Sequence, residues 1–164
     1  MASPPQSLTT LLARLAASGA DFLLVGGLAA VAQGAPLTTL DVDVVHRRDS
    51  ANVDRLLVFL ESVDARDRSR PAGQALRPTR EALLGEGHQL LMTTLGPLDL
   101  LGVIEGGLGY PDLVADALPI EVEGQRVRVV RLRKLAELKR NATSAKDRLV
   151  LAILLDTLRR TGGE

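Results

Sequence analysis

Cysteine is absent from the sequence, which excludes disulfide bonds and thiol chemistry and fits a reducing compartment. Aromatic residues make up only 2% of the chain, so the stacking platforms that bind single-stranded nucleic acid are nearly missing. The chain has two histidines, His46 and His88, and neither has metal-ligand spacing to a second histidine. We therefore interpret both histidines as structural or surface residues.

The sequence also lacks an excess of charge of either sign and a long apolar run. Twenty basic residues balance twenty acidic ones, so net charge gives no reason to expect nonspecific attraction to nucleic acid or to a membrane. The longest apolar run, residues 22–32, is too short to span a bilayer, and residues 1–7 do not resemble a secretion signal. We expect a cytoplasmic protein without membrane contact, folded as one domain over residues 1–164.

Against these absences, one stretch stands out. Gly26-Gly27 follows the apolar run 22–25, and thirteen residues separate this pair from Asp41-Val42-Asp43. The apolar residues on either side predict two buried strands, the second of which carries both aspartates. Side chains two apart on a strand share a face, so Asp41 and Asp43 are expected to project together. Their mutual repulsion becomes useful when a divalent cation such as Mg²⁺ supplies positive charge.

The remaining pattern predicts an α/β fold in which helices flank a mixed sheet and a helical pair ends the chain. The predicted strands are 22–25, 41–45, 88–94 and 97–103, together with a hairpin over 120–130. The predicted helices are 8–17 capped by Ser7, 28–33, a helix capped by Ser50, 111–117, 131–140 and 146–160. On the aspartate strand and the last predicted helix, the apolar side chains expected to face the core are Leu40, Val42, Val44, Leu149, Ile153, Leu154 and Leu158.

Between the predicted helix after Ser50 and the strand at 88–94, the periodic pattern breaks. Residues 64–80 contain five arginines mixed with proline and glycine, which is typical of a mobile basic loop. We interpret these arginines as charges that keep the loop soluble, and contact with an RNA backbone is the alternative. Farther along, the predicted strand 97–103 carries Asp99 between two leucines, and this residue is the third acidic candidate.

The glycine pair, its spacing from Asp41-Val42-Asp43 and the later Asp99 resemble nucleotidyltransferases of the DNA polymerase beta superfamily. Lys139, followed by Lys146-Asp147 at the start of a leucine-rich helix, is similar to small bacterial members related to abortive-infection toxins. Such members often carry an arginine before Thr-x-Asp-x-Asp and another before Lys-Asp. This chain has other residues there: Pro36, Leu37 and Ser144.

The resemblance implies Mg²⁺- or Mn²⁺-dependent transfer of a nucleoside monophosphate from a nucleoside triphosphate to a hydroxyl acceptor. The acceptor is a tRNA, a protein or a small molecule, and an antitoxin partner is a candidate. The contrasting possibility is a catalytically degenerate binding or antitoxin-like protein that keeps the fold.

The resemblance also assigns roles to residues. Asp41, Asp43 and Asp99 would hold the metal, with Asp99 within the cross-strand reach of about 5 Å and able to take the acceptor's proton. Nucleotide contacts would come from Gly26, Gly27, Lys139, Lys146 and Asp147. Two simpler interpretations stay open: the glycines form only a tight strand-to-helix connection, and the charged residues are solvated helix charges.

Overall fold

A computed structural model of the chain describes residues 4–163, so both ends of the predicted domain, residues 1–3 and 164, lie outside the described residues. The helices are α1 (Gln6–Ala17), α2 (Gly26–Ala32), α3 (Ser50–Ser62), α4 (Arg80–Leu84), α5 (Tyr110–Leu113), α6 (Leu132–Leu138) and α7 (Ala145–Thr161). The strands are β1 (Phe22–Val25), β2 (Val42–His46), β3 (Arg66–Asp67), β4 (His88–Thr93), β5 (Gly96–Leu101), β6 (Ala117–Val122) and β7 (Gln125–Val130). Short 3₁₀ turns lie at Ala72–Gln74, Glu105–Gly107 and Val114–Asp116.

All seven strands form one mixed sheet in the order β3-β4-β5-β2-β1-β7-β6. The hairpins β4–β5 and β6–β7 are antiparallel, as is the central pair β1–β2. β2 runs parallel to β5, and β1 runs parallel to β7. The predicted α/β class with a mixed sheet is therefore confirmed, and the aspartate strand lies near the middle of the sheet.

α1 packs against the sheet through the predicted leucine stripe, and its contacts reach β2, β5, β6 and β7. Leu8, Leu11, Leu12 and Leu15 are all buried. The helix begins after Pro5 rather than after Ser7, because the Pro5 carbonyl already accepts the N–H of Leu8. At the other end of the chain, α6 and α7 pack together as the predicted helical pair. Among residues 4–163, no helix combines the length and apolar character needed to cross a bilayer.

α3 fixes the position of the two central strands through its buried residue Asn52. The Asn52 side chain accepts a hydrogen bond from the Asp21 N–H at 2.6 Å and donates to the Asp21 and Arg47 carbonyls at 2.9 and 2.8 Å. It thereby joins the start of β1 to the end of β2. The predicted cap Ser50 is wrong, because the preceding Asp49 accepts the Asn52 N–H and Ser50 becomes the first helical residue.

Three further predictions need correction. α2 begins at Gly26, two residues before the predicted start at Leu28, so the glycine pair forms its first turn. Leu40 is 71% exposed, because β2 begins only at Val42 and Leu40 lies in the preceding loop. Leu149 on α7 is 63% exposed, since the buried side of this helix is centred on Leu154 and Thr157.

The segment 64–80, predicted as a mobile basic loop, contains the short strand β3 and a 3₁₀ turn. β3 pairs with β4 at the edge of the sheet, and the Asp67 N–H donates to the Leu76 carbonyl at 2.8 Å. The Arg68 N–H donates to the Leu90 carbonyl at 2.9 Å. A two-residue strand of Arg-Asp carries no apolar alternation, so sequence periodicity has nothing to detect there. Main-chain hydrogen bonds therefore hold the segment beside β4.

Candidate active site at the acid cluster

Three aspartates converge on one face of the sheet, and we call them the acid cluster. Asp43 on β2 lies directly opposite Asp99 on β5 in the parallel pair, and Asp41 immediately precedes β2. One carboxylate oxygen of each residue lies within 4.8 Å of the others. Asp99 is buried, whereas Asp41 and Asp43 are half-buried. The neighbouring residues of β2 and β5 point to the other face and are fully buried: Val42, Val44, Leu98 and Leu100.

The acid cluster carries an electrostatic strain that its geometry explains. Burial raises the pKa of Asp43 to about 8, and the negative charge of Asp41 and the hydrogen bond with Asp99 contribute further. Burial and the Asp99 charge also raise the pKa of Asp41. Low-dielectric surroundings disfavour several negative charges so close together. The cluster is thus poised to accept positive charge.

Arg68 supplies part of that positive charge. Its Nη1 donates to Asp99 Oδ1 and, at 3.1 Å, to the Leu91 carbonyl, while Nη2 lies 3.8 Å from Asp41 Oδ2. The hydrogen bond to Asp99 raises the pKa of Arg68. The interpretation of this residue as a solubilising loop charge is therefore wrong. Nothing in the sequence distinguishes Arg68 from the other arginines of the segment, because its role depends on the pairing of β3 with β4.

The other arginines of the segment 64–80 also have acidic partners, but away from the acid cluster. Arg66 and Arg77 pair with Asp64 at 3.2 and 2.8 Å. Arg70 lies 3.9 Å from Asp67, and Arg80 lies 2.9 Å from Asp54. These four are surface ion pairs, which contribute little to stability individually.

The glycine pair lies against the acid cluster. Gly26 has φ +71°, and a Cβ at this position would lie 3.0 Å from Asp43 Cβ and closer still to its carboxylate. A Cβ on Gly27 would lie 3.2 Å from Thr39 Oγ1, and that hydroxyl donates to the Asp41 carbonyl. Residues without side chains therefore let the first turn of α2 approach Asp43 and Thr39 closely.

Lys139, at the end of α6, is held by two carboxylates. Its Nζ lies 3.3 Å from Asp147 Oδ1 and 3.4 Å from Glu105 Oε1. The hydrogen bonding of Ser144 and the nearby Lys139 charge lower the pKa of Asp147. Ser144 itself caps α7 by accepting the Asp147 N–H at 3.0 Å. Sequence reasoning overlooked Glu105, which lies in a glycine-rich loop without a recognisable motif.

A cleft of about 480 Å³ joins these groups, and this volume lies in the range of small-molecule sites. Two residues of the acid cluster, Asp41 and Asp43, line the cleft, and the glycine pair lies beside them. Lys146 lines the cleft, and its charge opposes the rise in the Asp41 pKa. The rest of the wall is largely aliphatic: Ala30, Leu37, Leu101, Ile104, Leu135, Leu138, Val150 and Leu154. The cleft thus combines anionic, cationic and apolar surfaces.

The acid cluster fits a divalent cation. Three carboxylates with oxygens within 4.8 Å form the hard oxygen donor set that Mg²⁺ and Mn²⁺ prefer. Burial and the neighbouring carboxyl groups raise the pKa of Asp43 even with Arg68 present, so added positive charge would stabilise its ionised form. A cation bound there would favour the ionised form of all three groups.

Without metal, Asp43 is expected to lower the stability of the folded protein as the pH rises from about 4 to about 8. The pKa of Asp43 is about 8 in the folded protein and 3.8 ordinarily, so between these values the unfolded chain releases a proton that the folded chain keeps. Such a difference lowers the free energy of unfolding by at most about 1.4 kcal/mol per pH unit. Urea unfolding of wild type and Asp43→Asn in EDTA measures the effect. The variant should gain relative stability as pH rises, whereas parallel pH curves would contradict the assignment.

No family model matches the chain, and no curated protein matches it in sequence. Solved structures do resemble it. A Thermotoga maritima protein assigned as a nucleotidyltransferase has a TM-score of 0.55 and 15% identity, covering 97% of this chain and 94% of its own. An antigenic nucleotidyltransferase-like protein from Paracoccidioides brasiliensis has a TM-score of 0.57 and 16% identity, covering 96% of this chain and 78% of its own.

A third similar structure is that of the antibiotic-resistance factor ANT(2'')-Ia. Its TM-score is 0.55 at 12% identity, and the match covers 92% of this chain and 83% of that one. Identities this low carry information about the fold alone. They do not identify the activity, because one fold hosts many activities. The acid cluster and the cleft, rather than the fold, therefore carry the information about function.

Proposed function

Since the chain has the nucleotidyltransferase fold, we propose that it transfers a nucleoside monophosphate from a nucleoside triphosphate to a hydroxyl acceptor. One observation carries the proposal. Asp41, Asp43 and Asp99 converge beside a cleft that also contains the glycine pair and Lys139. Nucleotidyl transfer depends mostly on positioning and on neutralising phosphate charge, and this set of residues supplies both.

Asp41, Asp43 and Asp99 would hold Mg²⁺ or Mn²⁺. When bound, such an ion would neutralise phosphate charge that develops during transfer and would favour ionisation of the acceptor hydroxyl. Asp43 is central to this role, because it lies opposite Asp99 and next to Gly26. Asp41 extends the carboxylate set toward the cleft.

The nucleotide would lie in the cleft with its phosphates toward the acid cluster. The backbone at Gly26 and Gly27 is unobstructed by side chains and can approach a phosphate. Lys146 and Lys139 would contact the outer phosphates, with Asp147 and Glu105 fixing the position of Lys139. The aliphatic wall would then receive the base by apolar contact.

Asp99 is the proposed general base. The acceptor hydroxyl oxygen forms a bond to the α-phosphorus, the bond from that phosphorus to the bridging oxygen breaks, and pyrophosphate leaves with the bonding electrons. The acceptor proton passes to the Asp99 carboxylate. Arg68 keeps Asp99 beside Asp43 before substrates bind. Its guanidinium donates to Asp99 and is itself held by a hydrogen bond to the Leu91 carbonyl.

The test is an assay with α-labelled ATP, CTP, GTP and UTP, Mg²⁺ or Mn²⁺, and total tRNA or cell lysate. Label should enter RNA, protein or a small molecule with wild type and not with the Asp41→Ala/Asp43→Ala double variant. Asp156→Ala is the matched control, since Asp156 is an exposed helix residue paired with Arg160. Equal labelling by the wild type and the double variant would show that the acid cluster is not the site of transfer.

The acceptor class follows from where the label appears. Similarity to ANT(2'')-Ia, an antibiotic-resistance factor, is the reason to include small molecules beside tRNA and protein. A toxin role with an antitoxin partner predicts growth inhibition on expression, relieved by the genomic neighbour.

One observation favours a degenerate binding protein instead: Arg68 already neutralises part of the acid cluster. Absence of labelling together with absence of metal-dependent nucleotide binding would favour that alternative over transfer.

A further inference from the structure

We infer that Arg68 and a divalent cation compete for the acid cluster, so that Arg68 is its resident counter-ion and leaves when metal binds. This inference rests on the proposed function, because it assumes that Asp41, Asp43 and Asp99 are metal ligands. It adds an internal competitor to that site. Metal affinity would then depend on a residue that does not itself ligate metal.

The contacts of Arg68 cover two of the three proposed ligands. Its guanidinium bonds to Asp99 and has a second arm 3.8 Å from Asp41. The side chain of Asp99 is only 11% exposed, so solvent contributes little to balancing its charge. A metal ion bound to the same oxygens would lie within a few ångströms of the guanidinium, where two positive charges repel strongly.

The position of Arg68 is built into the sheet rather than being a chance surface contact. Its backbone N–H bonds to the Leu90 carbonyl at 2.9 Å, and its guanidinium bonds to the Leu91 carbonyl at 3.1 Å. Both acceptors belong to β4, the strand adjacent to the one that carries Asp99. The side chain is 26% exposed, which leaves it a path away from the cluster.

Arg70 provides a matched control. It lies two residues away in the same segment and carries the same charge, but its acidic partner is Asp67, 3.9 Å away, rather than the acid cluster. Replacing either arginine by glutamine removes one charge from the same segment. A difference between the two variants therefore reports on the contacts of Arg68.

The experiment is calorimetric titration of Mn²⁺ without nucleotide into wild type, Arg68→Gln, Arg68→Lys and Arg70→Gln. Arg68→Gln should bind Mn²⁺ about tenfold tighter or more, because a repulsive charge is gone. Arg70→Gln should match wild type, and Arg68→Lys should fall between. Unchanged or weaker binding by Arg68→Gln would overturn the inference while leaving the metal site intact. Absence of Mn²⁺ binding in every variant would overturn the proposed metal site itself.

Thermal unfolding gives a second readout. Without metal, Arg68→Gln should unfold at a lower temperature than wild type, because Asp99 and Asp41 lose their counter-ion. Saturating Mn²⁺ should shrink or reverse this difference, since a ligand stabilises the variant that binds it more tightly by the larger amount. An equal deficit with and without Mn²⁺ would mean that Arg68 is only structural. If Arg68→Gln does not fold, Arg68→Lys serves for both measurements.

Discussion

Asp43→Asn should abolish nucleotidyl transfer while making the metal-free protein more stable. Asparagine keeps the shape of the side chain but cannot supply the anionic oxygen, so we expect turnover to fall roughly 10³-fold or more. At pH 7 the buried carboxyl imposes an electrostatic penalty, which its raised pKa reflects. Removing it should raise the free energy of unfolding by about 1 to 4 kcal/mol. Labelled-nucleotide turnover and urea unfolding measure the two effects.

The opposite signs of these effects make the prediction specific. If Asp43 were merely structural, its replacement would lower the free energy of unfolding, and activity would fall only as the protein unfolds. Asp156→Asn, on the exposed side of α7, should leave both the free energy of unfolding and the turnover close to those of the wild type. Retained turnover in Asp43→Asn would show that this carboxylate is not needed for transfer.

The features that could be predicted from the sequence are those with a strong local pattern. β1 and its following glycine pair, the leucine stripe of α1 and the hairpin around Gly124 each follow from periodicity or turn chemistry. The placement of Asp43 and Asp99 on strands followed from the apolar residues around each, and their convergence was what the resemblance to nucleotidyltransferases implied. These predictions needed no knowledge of long-range packing beyond the pairing of two strands.

The features that the sequence did not reveal depend on tertiary contacts. Arg68 looks like its neighbours until β3 pairs with β4 and directs it toward Asp99. Asn52 looks like an ordinary first-turn residue, yet it joins β1 to β2 through three hydrogen bonds. Polar side chains carry no periodic signal that distinguishes a buried partner from solvent, and this explains both omissions.

Gly26→Ala should both destabilise the protein and weaken its metal site. Gly26 has φ +71°, a conformation that L-residues rarely adopt, and the new Cβ would lie 3.0 Å from the Asp43 Cβ. Backbone strain and collision add, so we expect a loss of roughly 3 kcal/mol or more in the free energy of unfolding. Because the collision displaces the Asp43 carboxylate, Mn²⁺ affinity should fall as well. Urea unfolding and Mn²⁺ titration measure the two losses.

Two other glycines separate strain from collision. Gly124 has φ +80° in the turn between β6 and β7, but a Cβ there meets nothing within 4 Å. Gly124→Ala should therefore lose only about 1 kcal/mol of stability and keep full Mn²⁺ affinity. Gly73→Ala, where space is open and φ lies outside the left-handed region, should be close to neutral. If Gly26→Ala lost no more stability and Mn²⁺ affinity than Gly124→Ala, the close approach of α2 to Asp43 would not explain the glycine at position 26.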